Sequence, residues 1–376
     1  MANALLVLED GATFVGESIG AKGVTAGPMF FDTRVVAYQE VITDPANAGK
    51  ILSLTYPLIG NYGVNDKFKE SARAWINGLV IKELSKMYSS WQAKGSLDDF
   101  LKLEGLVAMA EADTRTLTVH LRDKGEMWAA ISTNGRGKEE LLKEISIRRQ
   151  QVNKSSIKDI SVKEIKAIKG KIKARVGILD LGVLQSLTTQ LNTLCLEIVV
   201  LPYNTPPGEI LKLKLNGLIV SSGPEEDAAL DAVVATIQNI IGKLPLLGIA
   251  LGSQLIARAV GAKVKKMRLG HHGVNYPIEY VSFFPPSSRL KDDKRRLGHG
   301  KGDITVQNHS WVVDVESLKK IKDIRITALH LNDATLEAFA SGKYKIIAVQ
   351  YYPQSPGFGE VHSILINFLQ LMKGKN

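Results

Sequence analysis

The sequence predicts an α/β protein with an N-terminal β-rich mixed domain and a C-terminal domain on a mostly parallel sheet. Three observations predict it. From Ala4 to about Trp128, short strand-like runs alternate with Gly and Asp turn signals and few long helical patterns. From Ala174 onward, strand and helix patterns alternate, which places helices on both faces of a mostly parallel sheet. The 376 residues exceed what a single core usually serves, so two domains are expected.

The elements follow in order. The runs "ALLVLEDGATFVGESIG" and "GPMFFDTRVVAYQEVITD" supply the strands of a domain over residues 1–137. Residues 138–173 are charged and poor in aromatics, and read as a surface helix followed by a linker. In the domain over 174–376, "RVGILDLG" is a buried strand, "VLQSLTTQLNTL" a helix and "LEIVVLPYN" a strand. "LNGLIVSSGP" is a third strand, "DAALDAVVATIQNIIGKL" a long helix and "LPLLGIA" a fourth strand. Later come "ITVQNHSWVVDV", "IRITALHLNDATLEAFAS", "KIIAVQYYPQSPG" and a closing helix "EVHSILINFLQLMKG". Pro285 to Gly302 lacks apolar periodicity and reads as a mobile surface loop. In parallel sheets of this kind chemistry collects beyond the carboxyl ends of the strands, so Gly182, Ser221–Asp227 and the turn at Ala250 are expected along one rim.

The totals exclude several classes. An apolar content of 45% with 23% charged residues is an ordinary globular balance. The start "MANALLVLEDG" has no basic n-region and reads as a first strand, and no apolar run approaches the roughly 20 residues that span a bilayer. One cysteine, Cys195, rules out an internal disulfide framework and fits a cytoplasmic setting. The 48 basic residues outnumber the 38 acidic ones, giving +10, but they are spread along the chain without a nucleic-acid recognition motif. Neither nucleic acid nor membrane is therefore expected as a partner.

"LPLLGIALGSQLIARAVG", Leu244 to Gly261, has the pattern of a nucleophile elbow: an apolar strand, a turn with Gly248 and Gly252, then an apolar-periodic helix. Its apex is Ala250, whose methyl group cannot attack anything. Ser253 is the nearest hydroxyl, but its place in the first helical turn suits capping. Cys195, at a helix-to-strand junction, reads as a buried structural thiol. His120, His271, His272, His299, His309, His330 and His362 are the imidazoles available as bases or ligands. His271 and His272 are adjacent on an extended segment and point to opposite faces, and no metal-ligand spacing accompanies them, so no metal is expected. No phosphate-binding glycine loop follows a strand, so no nucleotide cofactor is expected in this chain.

The order of "LEDGATFVGESIG", "AYQEVITDP", "LTYPLIGNYGVN", "EADTRTLTVHLRDKG", "GILDLG", "SSGPEED", "GIALGSQLIA", "GAKVKKMRLGHHGVNYP", "VQNHSWVVD" and "YYPQSPG" resembles the glutaminase subunit of carbamoyl phosphate synthetase nearly end to end. The resemblance implies a class I glutamine amidotransferase domain behind a small β-rich domain, in a heteromer whose large subunit uses ATP, magnesium and bicarbonate. It also implies where the chemistry should lie. The family's attacking cysteine corresponds to Ala250, its histidine base to Tyr352 beside Tyr351 and Pro353, and the orienting glutamate to Gln354. In the glutamine pocket, the family's G-P-G-D-P reads Gly223, Pro224, Glu225, Glu226, Asp227 here, so Glu225 replaces a glycine. A serine becomes Ala46, and Q-N-H-G-F becomes "QNHSW", with Ser310 and Trp311 at positions that contact glutamine. Gly223, Leu251, Gln254 and Asn308 remain of that set. The expectation is a pseudoenzyme in which Tyr352 packs into the vacated site, serving as the small subunit of an ammonia-using synthetase for arginine and pyrimidine synthesis. The alternative is a freestanding regulatory or ligand-binding pseudo-amidotransferase, with Glu225, Trp311 and Tyr352 lining a remodelled cleft.

Overall fold

A computed structural model describes residues 3–150, 156–171, 174–282, 300–357 and 359–373. It divides into two compact units, Met1–Ser156 with Arg268–Gly273, and Ile157–Met267 with Val274–Asn376.

The first unit is a closed barrel of seven strands: β1 (Asn3–Leu8), β2 (Thr13–Gly20), β3 (Val24–Asp32), β4 (Ile51–Leu54), β5 (Gly78–Val80), β6 (Val107–Ala110) and β7 (Met127–Ser132). The order is β1-β2-β6-β5-β4-β3-β7, and β7 returns to pair antiparallel with β1. Neighbouring residues on a strand enter different cores: Met29, Ile51 and Met109 join one cluster, while Phe30, Leu52 and Ala108 join another. That is the period of two of a sheet buried on both faces. The charged helix Lys138–Gln150 buries only Leu141 and Ile145, one turn apart, against Val7, Ala26 and Ala130. His120 of this unit pairs with Asp10 at 2.7 Å. Arg268–Gly273 is held by Glu126, whose carboxylate accepts from Gly270 N at 2.8 Å and lies 3.2 Å from His272 Nε2. The His272 ring packs on Phe30 at 4.5 Å, and His271 beside it is buried as well.

The second unit is a ten-stranded sheet: β8 (Lys166–Ile168), β9 (Arg175–Asp180), β10 (Glu197–Pro202), β11 (Gly217–Val220), β12 (Leu246–Ile249), β13 (Val264–Tyr280), β14 (Lys301–Val313), β15 (Arg325–His330), β16 (Leu336–Ser341) and β17 (Ile346–Val349). Its order is β8-β10-β9-β11-β12-β17-β16-β15-β13-β14. The five strands β10, β9, β11, β12 and β17 run parallel. Leu179, Val220 and Leu246 face one core with the helices Leu230–Ile240 and Leu251–Ala259. Ile178, Ile219 and Leu247 face the other with Gln185–Thr193 and Ser363–Met372. Helices thus cover both faces of a mostly parallel sheet, as the alternating pattern predicts.

Three local expectations need correction. The stretch read as linker contains a short helix, Ser156–Ile160, and the edge strand β8, which pairs antiparallel with β10. Lys301 and Gly302, read as loop, begin β14; 285–299 of that loop, with His299, lie outside the described residues. Cys195 is only half-buried, because the chain turns through positive φ (58°) after the helix and leaves the thiol at the surface of the turn. Among the described residues no helix is long and apolar enough to cross a membrane.

Candidate functional site

The rim beyond β9, β11, β12 and β17 brings three of the expected segments together. Leu181 N donates to Ser221 Oγ at 2.9 Å, and Ser222 Oγ donates to Gly182 O at 3.1 Å. Gly223 is needed there, since a Cβ would stand 2.2 Å from Leu181 O. The elbow between β12 and its helix is as tight: a Cβ on Gly252 would meet Val220 O at 2.0 Å. That approach forces the reversal into one residue, and Ala250 takes φ 49° and ψ −112°, a conformation side chains rarely adopt. Its N–H donates to Val349 O at 2.9 Å, and its carbonyl accepts from Ser253 N at 2.9 Å. The elbow geometry is complete, with a buried methyl at its apex.

Ser253 has no proton to spare for chemistry, because its hydroxyl donates to Ala250 O at 2.7 Å inside the first helical turn. Tyr352 is buried, and its N–H donates to Val306 O at 2.9 Å. Its Oη accepts from Asn308 Nδ2 at 3.4 Å. The space between Tyr352, Gln354, Ser222, Ile249 and Leu187 is ≈ 10 Å³, about one water. Gln354 is half-buried beside it, and its N–H folds back on Tyr352 O at 2.9 Å. Tyr351 is buried one residue earlier, and Pro353 O accepts from Gln190 Nε2 at 2.8 Å. Ala46 belongs to the first unit, in a short 3-10 turn where its N–H donates to Asp44 Oδ1.

Glu225 is the feature whose role the sequence conceals. Its Oε1 accepts from Gln254 Nε2 at 2.7 Å and Trp311 N at 3.2 Å, and its Oε2 from Ser310 N at 2.6 Å. Gln254 Nε2 also donates to Trp311 O at 2.9 Å. Glu226 binds Trp311 Nε1 at 3.2 Å and Lys266 Nζ at 2.6 Å. Two consecutive acids therefore clamp the β11 turn to β14, and Leu251, at the start of the elbow helix, lies buried beneath.

Behind this turn lies a buried polar network that residue patterns alone did not reveal. The ring nitrogens of His309 lie 3.0 Å from Trp311 O and from Gln307 Oε1. Gln307 Nε2 donates to Glu337 Oε2 at 2.7 Å. Burial pushes the Glu337 carboxyl up to about 8. The only hint in sequence is a carboxylate inside an apolar strand, "LEAFAS". His330 is buried with Nδ1 3.1 Å from Asp333. His362 accepts from Ile364 N as a helix cap, and burial pushes its imidazole down to about 4.

Two comparisons bear on what this site descends from. Residues 6–131 match the family model "Carbamoyl-phosphate synthase small chain, CPSase domain", and residues 177–371 match "Glutamine amidotransferase class-I". The carbamoyl phosphate synthase small chain of Listeria monocytogenes serotype 4b (strain F2365) is 37% identical over 376 residues, covering 100% of this chain and 98% of that one. The pyrimidine-specific small chain of Bacillus subtilis (strain 168) is 33% identical over 369 residues, covering 98% and 95%. The chloroplastic small chain of Oryza sativa subsp. japonica is 33% identical over 387 residues, covering 99% and 83%.

The geometry sets two expectations. Gly252→Ala forces the elbow helix off β11 and costs about 3 kcal/mol or more in chemical denaturation; a loss under about 1 kcal/mol contradicts the close approach. Glu337 stays protonated in the fold above the pH at which it ionises when unfolded. Its stabilisation is therefore complete below about pH 4.5 and declines by about 1.4 kcal/mol per pH unit until pH passes about 8. Glu337→Gln removes that decline, so its melting temperature relative to wild type rises steadily between pH 5 and pH 8; a difference that is flat across that window contradicts the assignment.

Proposed function

The chain belongs to the carbamoyl phosphate synthase small-chain family, and on that premise we propose that it is a small chain without glutaminase activity. It supports a large subunit that combines free ammonia with ATP and bicarbonate to form carbamoyl phosphate for arginine and pyrimidine synthesis. The observation that carries the reading is Ala250 at the apex of an intact elbow. Acyl transfer from an amide needs an atom there that can attack carbon, and a methyl group has no lone pair.

The surroundings support the same reading. By the resemblance, the base and orienter positions hold Tyr352 and Gln354, and the gap that Tyr352 shares with Ile249 is only ≈ 10 Å³. In a triad enzyme the loss of the nucleophile alone can cost about a millionfold in turnover. With the base position also changed, a single reversion has little to work with. The first unit, by contrast, is an intact barrel with filled cores, so the surfaces that a small chain offers its partner rest on a sound scaffold.

The test is carbamoyl phosphate formation by this chain mixed with its cognate large subunit, ATP and bicarbonate, with ammonium or glutamine as nitrogen source. Activity with ammonium that this chain raises or stabilises, and none with glutamine, is expected. Equal rates with glutamine overturn the reading. Ala250→Cys is expected to leave glutamine hydrolysis at background, since the base, the orienter and the open pocket are still missing; recovery to within about a hundredfold of an active relative contradicts this.

A further inference from the structure

We propose that the end of the ten-stranded sheet opposite the elbow is a binding face for a linear polyphosphate, either the backbone of a nucleic acid or an inorganic phosphate chain, held by Lys169, Lys214, Lys243, Lys322, Arg325 and Lys345. The inference is independent of the glutaminase reading, because the elbow follows β12 at the carboxyl ends of the parallel strands and these cations stand at the other end.

The case begins with topology. The six cations come from separate stretches of sequence, so the surplus of 48 basic over 38 acidic residues reads as dispersed along the chain. The fold gathers them. The strands β9, β11, β12 and β17 run parallel, and β15 shares their direction, since both it and β17 pair antiparallel with β16. Arg325 begins β15 and Lys345 immediately precedes β17, while Lys214, Lys243 and Lys322 stand three residues before β11, β12 and β15. β8 runs against β10 with Ile168 opposite Ile198, so Lys169, just past its end, reaches the same edge. Backbone bonds tie the row together: Asn216 N donates to Arg175 O at 2.8 Å, Leu218 N to Pro245 O at 2.9 Å and Leu246 N to Lys345 O at 2.9 Å.

All six residues are exposed, and among the described residues none of the six side chains forms an ion pair. Two acids at this end are already engaged, Glu197 with Arg175 at 3.0 Å and Asp323 with Lys343 at 2.8 Å. Helix C-termini attract cations, which accounts for Lys214 and Lys243 after the helices Pro207–Lys212 and Leu230–Ile240. Lys169, Arg325 and Lys345 flank strands and serve no helix end. Lys214 and Lys345 also stand at positive φ, 53° and 52°, where glycine is the unstrained choice. Charge is kept there against backbone preference.

The row runs across eight adjacent strands from β8 to β15, which at about 4.8 Å per step makes it about 34 Å long. That length equals about one helical turn of a duplex. A line of separated charges matches a polymer of regularly spaced anions, and lysine meets phosphate as a point charge. No base preference is therefore expected.

The experiment follows fluorescence anisotropy of a labelled random-sequence duplex of about 20 base pairs with the full chain, between about 50 and 200 mM sodium chloride. A labelled inorganic polyphosphate runs in parallel. Six phosphate contacts give the duplex a slope of log K on log salt of about −5, roughly a thousandfold loss over that range. Lys214→Gln, Lys243→Gln and Lys345→Gln together should make the slope shallower by about 3 and weaken whichever probe binds at least about tenfold at the lowest salt. Each single change should take about 0.9 from the slope, so the single variants decide the matter if the triple variant fails to fold. Lys22→Gln, Lys82→Gln and Lys86→Gln, exposed in the first unit, remove the same charge and should leave the slope within about 1 of wild type. Binding of the duplex alone identifies a nucleic-acid backbone and binding of the polyphosphate alone an inorganic chain; either supports the face. Binding of neither probe, a triple variant that binds as wild type does, a control set that weakens binding as much, or equal competition by polyglutamate at matched charge overturns the proposal.

Discussion

The approach of the elbow helix to the end of β11 constrains everything around the rim. Gly252 lies so close to Val220 O that no side chain fits between them, and Gly248 is equally closed by the helix it precedes. The reversal of direction then falls on residue 250, which must adopt positive φ. Backbone strain of this kind costs on the order of 1–3 kcal/mol and survives only where neighbours over-determine it. Here they do: Val349 holds the N–H of Ala250, and two donors from Ser253 hold its carbonyl. The strain is kept although the residue that bears it has no chemistry to perform. Relaxing it would require moving the helix, and with it Leu251, Leu255 and Ile256 out of the core.

Much of this frame was legible in the sequence. Glycines four residues apart between an apolar strand and an apolar-periodic helix have few structural solutions, and strand-helix alternation implies the parallel sheet. Ser253 lies in the first turn as its position implies, but its hydroxyl donates to Ala250 O and caps no helix N–H. Other features depend on pairings between distant residues and left no local trace. Glu225 meets its backbone donors 85 and 86 residues later, across a sheet whose register no short window contains. Glu337 looks like any strand carboxylate until both faces of its strand prove buried. β8 is three residues long with all three side chains exposed, so no apolar period announces it. The exposure of Cys195 leaves no local trace either, because the burial of a junction residue depends on which way the turn leaves the helix.

The polar groups around the elbow share a physical arrangement. A binding pocket holds donors that water satisfies until a ligand arrives. If such a pocket narrows without acquiring new partners, each stranded donor costs about 1–3 kcal/mol. In this chain the donors have internal partners: Ser310 N, Trp311 N and Gln254 Nε2 meet Glu225, Asn308 Nδ2 meets Tyr352 Oη, and the Ser253 hydroxyl meets Ala250 O. A glutamate is the economical choice for the first three, because one carboxylate accepts from several donors at once and charge strengthens each bond.

The same logic separates a decayed site from a rebuilt one. Loss of a nucleophile by itself would leave an open, hydrated cleft with its polar lining intact. Here the gap between Tyr352, Ile249 and Leu187 holds about one water, and the carboxylate of Glu225 occupies the converging amides. Both residues act on the pocket from opposite sides, one from the segment after β17 and one from the turn after β11. The two contacts are separate, since Tyr352 bonds to Asn308 while Glu225 takes the Ser310 and Trp311 amides. The Glu225 bond to Gln254 and the packing of Tyr352 in the same apolar cluster as Ala250 hold the elbow from two independent elements, and the strained turn persists as structure.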